Sequence, residues 1–92
     1  PVRDEFLAMI YDNLADCYEK DDLYDIAIEA YRQAYQILEG GSQQTYPLRG
    51  IARICLLQNK KDSALLYYQK ALDRIKVQSQ KLVFIRENPI FD

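Results

Sequence analysis

Seven positions recur at a fixed separation of 37 residues, and this duplication constrains the fold more than any other feature of the sequence. Tyr11, Leu14, Ala15, Tyr18, Ala27, Tyr31 and Ala34 are answered by Leu48, Ile51, Ala52, Cys55, Ala64, Tyr68 and Ala71, all of them small, apolar or aromatic. In each set the first four positions fall at i, i+3, i+4 and i+7, one face of a helix, and the last three at i, i+4 and i+7, one face of a second. Ala15 with Ala27, and Ala52 with Ala64, let two helix backbones approach closely while the tyrosines fill the space around the contact. A chain that repeats one helix–turn–helix unit buries each unit against its neighbour.

The turn between the helices repeats as well, in Asp22-Leu23-Tyr24-Asp25-Ile26-Ala27 and Asn59-Lys60-Lys61-Asp62-Ser63-Ala64. Together these positions resemble the tetratricopeptide repeat. That family's helix hairpin of roughly 34 residues carries a large residue, Leu, Gly/Ala and Tyr in its first helix, a Gly-Asp-Tyr-x-x-Ala-like turn, and Ala, Phe/Tyr and Ala in its second. The resemblance covers roughly residues 8–76. It implies an all-α, right-handed superhelical stack of two hairpins in one domain: repeat one at about 8–41, repeat two at about 45–78, and a C-terminal helical extension or cap at about 79–92. Two departures stand out. The proline common at the end of the second helix is replaced by Glu39 and Lys76, and the longer period requires an insertion, placed at Gly40-Gly41-Ser42, where the glycines suit a left-handed helix C-cap. The run Ser63 to Leu72 looks like tyrosine-rich repeats of bacterial sensor and regulatory proteins.

Along the chain, Asp4-Glu5 suit a helix N-terminus, and the first helix runs to about Lys20. Its apolar stripe reads Phe6, Leu7, Ile10, Tyr11, Leu14, Ala15 and Tyr18, with Asp12, Asn13, Asp16 and Glu19 falling away from it. Asp21-Asp22 end that helix and cap the next, which spans about Leu23 to Leu38 and turns Ile26, Ala27, Ala30, Tyr31, Ala34 and Leu38 inward. Thr45 is the expected N-cap of the third helix and Pro47 suits its first turn. Gly50, inside that helix, costs up to about 1 kcal/mol relative to alanine and reads as a tolerated glycine, the alternative being something close-packed or bound against that spot. Asn59 makes the second turn, and Asp62 or Ser63 opens the fourth helix. That helix either continues to about Arg86 or bends near Gln78-Ser79 into a capping helix, and the apolar run Leu82 to Ile85 needs cover or forms a sticky patch.

Half the composition, 49%, is hydrophobic, enough for a packed core and incompatible with a disordered chain. The chain opens on Pro1 and reads as a piece of a longer protein. With no histidine and with Cys17 and Cys55 far apart, no metal site or cofactor is implied, and both cysteines are expected to be buried free thiols. No nucleophile motif or phosphate loop is present, so no catalytic residues are assigned. No apolar run is long enough for membrane insertion. Residues 1–40 carry three bases against ten acids, a net −7, and residues 41–92 nine bases against four acids, a net +5. The acidic first half and a pI of about 5.1 argue against direct nucleic-acid binding, and the opposed halves either favour head-to-tail self-association at low salt or are ordinary solvated helix faces that differ by accident.

Protein or peptide recognition is the function that remains. The resemblance implies that the first helix of each hairpin lines a concave surface, which presents Met9, Asp12, Asp16 and Glu19 from repeat one and Tyr46, Arg49, Arg53 and Leu56 from repeat two. Family members that clamp a peptide's C-terminal carboxylate have lysine and asparagine where this chain has Asp12 and Asp16, so that activity is not expected. Arg49 and Arg53, one turn apart beside Tyr46, are instead suited to gripping an acidic or aromatic-containing segment. The alternative is a structural spacer, or a segment that self-associates through its C-terminal apolar run.

Overall fold

The computed structural model describes residues 2–39 and 42–87, with side chains for residues 3–39 and 43–77. It contains four helices: α1 (Val2–Lys20), α2 (Tyr24–Ile37), α3 (Thr45–Leu57) and α4 (Lys61–Glu87), with a short 3₁₀ turn, Ser42–Gln44, leading into α3. No strand occurs among the described residues. Helices pack in chain order, α1 on α2, α2 on α3 and α3 on α4, while α1 and α3 also meet. The two expected hairpins therefore form and stack.

Both hairpins turn the same way for the same backbone reason. The amide of Leu23 donates to the Tyr18 carbonyl (2.9 Å) and that of Asp22 to Glu19 (3.0 Å). In the second hairpin Lys60 donates to Cys55 (2.8 Å) and Asn59 to Leu56 (2.9 Å). This is the Schellman closure, and it needs a left-handed residue after the helix. Asp22 (φ 60°) and Asn59 (φ 61°) take that conformation, two residue types whose short polar side chains tolerate it. The amides of Ala27 and Ala64 then accept duty in the next helix by donating to Leu23 and Lys60.

The capping expectations need correction. Leu23, not an aspartate, holds the N-cap position of α2, and no side chain bonds there. Gln44 precedes α3 in a helical conformation, so Thr45 is the first helical residue and not its cap. The 3₁₀ turn supplies the entry that a capping hydroxyl would otherwise give. The fourth helix opens at Lys61, one residue before Asp62, and continues unbroken through Glu87, so no separate capping helix forms over that span. Gly40, Gly41 and Asn88-Pro89 lie outside the described residues, as do the side chains of Leu82 to Ile85.

Ala15, Ala27, Ala30, Tyr31, Ile51, Ile54, Cys55 and Ala64 form one buried cluster, which takes in three of the four alanines read from the sequence as crossing points. Ala34, Leu48, Ala52 and Ala71 are buried beside them, while Tyr11 and Tyr18 are half-buried. Other expected core residues are not inside. Leu14 is 41% exposed although its repeat partner Ile51 is 2% exposed, and Tyr68 is 39% exposed although its partner Tyr31 is fully buried. The difference is positional: α2 and α3 each have a helix on both sides within the chain, whereas the outward faces of α1 and α4 do not. Cys17 is exposed for the same reason, its partner Ile54 being buried. Phe6, Leu7, Ile10 and Ile26 are exposed as well.

What α1 buries is a different stripe, Ala8, Asp12 and Ala15, with Glu19 one turn further on and nearly covered. These sit at i, i+4, i+7 and i+11, a true helix face, but two of the four are acids. Asp12 and Glu19, expected to face away from the core, are thus drawn to the α1–α3 side.

At Gly50 the close-packed alternative holds and the merely tolerated glycine does not. It lies against the ring of Tyr31, where a Cβ would fall 2.4 to 2.7 Å from three ring carbons. The glycine is a seat for the tyrosine and joins the two hairpins.

Candidate functional site

Two polar features occupy the side where α1 and α3 run together. The first is an ion-pair network. Arg53 on α3 grips Glu19 on α1 side-on, Nε to Oε2 and Nη2 to Oε1, both at 2.7 Å. The same Nη2 donates to the hydroxyl of Tyr31 at 3.2 Å, and that hydroxyl donates to Glu19 at 3.4 Å. The bond to Glu19 raises the guanidinium pKa further still, and burial pushes the Tyr31 phenol up to about 12 against the pull of Arg53. A bidentate pair on a nearly covered carboxylate contributes about 1–2 kcal/mol once screening at the open side of Arg53 is allowed for. It fixes hairpin one against hairpin two and uses Arg53 internally.

The second is an open cleft of about 640 Å³ between the first half of α1, the end of the first hairpin and the start of α3. Phe6, Met9, Leu38 and Tyr46 give it apolar walls, and Asp12 lies in it. Asp12 is only 8% exposed, and its Oδ1 is buried without a hydrogen-bond partner. Burial pushes its carboxyl up to about 6. Native proteins rarely leave a buried carboxylate oxygen unpaired, because the lost hydration is not recovered.

Of the residues singled out in the sequence, the structure thus brings Asp12 and Tyr46 into one cleft, with Met9. Asp16 lies a turn away, paired with Lys20 at 3.0 Å on the surface. Arg49 is exposed on α3 and outside both features, and Arg53 is in the network. Sequence reasoning missed Phe6 and Leu38 as walls and the partnership of Glu19 with Arg53. Ala8 and Ala15, seven apart with Asp12 between them, were the signal available for the cleft. Among the described residues no three His, Cys, Asp or Glu side chains are grouped to hold a metal, and no helix is long and apolar enough to cross a membrane.

Stacked helix hairpins with a shared groove define a helical repeat protein. A family model of the tetratricopeptide repeat matches residues 6–76, and the chain belongs to that family. No curated protein and no solved structure matches the chain. Tetratricopeptide repeats are generally non-catalytic and mediate contacts between proteins.

Proposed function

We propose that this chain is a non-catalytic scaffold module that holds a peptide, or a segment of a partner domain, in the groove between α1 and α3. The observation that carries the reading is the cleft itself. Met9 and Tyr46, each about half exposed, stand beside a carboxylate buried without a partner. Apolar walls around one oriented polar group are what a small recognition site requires, and its volume lies within the range of roughly 300–1,000 Å³ common to such sites. Arg49, exposed on α3, and Asp16, paired with Lys20, extend the groove as charges that favour register over affinity. Arg53 supports it by holding α3 to α1.

Panning a displayed random-peptide library on the chain tests the reading. Selected peptides should shift the NMR signals of Met9 and Tyr46 and should lose most of their affinity on Tyr46→Ala. Arg49→Ala should weaken capture modestly without changing helix content. Peptides that bind with no response at Met9 and Tyr46 would contradict the assignment.

A further inference from the structure

We propose that the cleft selects a basic side chain, so that the partner is a segment presenting lysine or arginine between apolar residues. This rests on the reading of the cleft as a recognition site and adds the chemistry of what enters it. Asp12 is the anchor: nine-tenths buried, with Oδ1 lacking any donor. An ammonium or guanidinium group supplies what that oxygen lacks, and the low-dielectric surroundings strengthen the pair.

The rest of the lining agrees. Glu5 is a second carboxylate on the cleft, and among the described residues no lysine or arginine lines it, so a carboxylate or phosphate ligand would meet two like charges with no cation to offset them. Phe6, Met9 and Tyr46 offer apolar surface for the methylene stem of a long basic side chain, and the Tyr46 ring adds a face for its cation. Charge over a wider range has the same sign, since residues 1–40 carry a net −7 and attract a basic segment before contact. A divalent ion is a poorer occupant, because among the described residues no three His, Cys, Asp or Glu side chains converge.

The probe is a set of acetylated, amidated peptides in which one variable position is flanked by leucines, so that no terminal charge contributes. Binding is followed by NMR shifts at Met9 and Tyr46 in the natural chain and in Asp12→Asn. Lysine and arginine peptides should bind at least about tenfold more tightly than the norleucine peptide, a difference of about 1.4 kcal/mol. The glutamate peptide should bind worst, and Asp12→Asn should erase the preference while leaving the fold intact. Equal affinity for lysine and norleucine, or an undiminished preference in Asp12→Asn, overturns the inference and leaves the recognition site standing. Absence of any shift with every peptide removes both. A free polyamine that binds as tightly as the lysine peptide makes this a small-amine site and also overturns the proposal.

Discussion

The ring of Tyr31 rests on the bare backbone of Gly50, so closely that a Cβ there would lie 2.4 Å from Cζ. Tyr31 cannot withdraw, being fully buried and tied by its hydroxyl to Arg53 and Glu19. Gly50→Ala gains up to about 1 kcal/mol of helix propensity and loses more to overpacking, typically about 1–3 kcal/mol. The net expectation is a lower urea midpoint. Pairing it with Tyr31→Leu should make the double change less harmful than the two losses added, which a double-mutant cycle reads directly. A stabilised Gly50→Ala would show that the two hairpins are not seated this way.

Asn59 and Asp22 adopt φ near 60°, a conformation that glycine enters without steric cost. Asn59→Gly should leave the melting temperature unchanged or raise it, by at most about 1 kcal/mol of stability, whereas Asn59→Ala should lower it by about 1 kcal/mol. Asp22 is the less clean site, because its carboxylate accepts a bond from Tyr24 at 3.1 Å. Thermal melts of the Asn59 pair decide the matter, and an alanine variant more stable than the glycine one would contradict the turn geometry.

Asp12 should cost stability at neutral pH. Its folded pKa of about 6 exceeds the ordinary value of 3.8, so between these values the folded chain binds the proton more tightly than the unfolded chain. The contribution of Asp12 is therefore fully present below pH 3.8 and is lost as pH rises through 6. Glu5 on α1, Tyr46 on α3 and Leu38 at the end of α2 line the same cleft, and among the described residues no cation lines it to offset the cost. Asp12→Asn should stabilise the protein at pH 7 by on the order of 1–2 kcal/mol, allowing for solvent screening in an open cleft. The gain should vanish near pH 4 in parallel urea titrations. Lower stability of the variant at pH 7 would mean that the carboxylate has found a partner.

The joint between the hairpins also bears on self-association. If a second copy laid its α1 on α4 as α3 lies on α2, the 37-residue register would put Asn13 where Gly50 stands, beneath Tyr68. Asp16 would take the place of Arg53, and Leu56 that of Glu19. A side chain then fills the ring's seat, and the ion pair has no counterpart. The natural chain should accordingly sediment as a monomer, while Asn13→Gly, Asp16→Arg and Leu56→Glu together should produce concentration-dependent dimers. Dimers of the natural chain that Tyr68→Glu abolishes would reverse this conclusion.

Duplication made the hairpins legible, because Ala15, Ala27, Ala52 and Ala64 must sit where backbones cross whatever surrounds them. Burial at the outer faces was not legible. Leu14 and Ile51 have the same pattern position, and only the neighbour supplied by the fold separates them. Asp12 falls off the apolar stripe, as charge usually does, and reads as a groove residue; the small residues Ala8 and Ala15 are what turn its face inward. Arg53 looked like a ligand contact since its partner, Glu19, lies 34 residues away. Gly50 inside a helix hints at close packing but does not name Tyr31, as the two meet only when one hairpin stacks on the other.

If partners enter between α1 and α3, a library-selected peptide bound to the chain reveals it through intermolecular NOEs. The peptide should contact the Met9 methyl group and the Tyr46 ring. Contacts confined to Leu65, Tyr68 and Leu72 on the open face of α4 would contradict it.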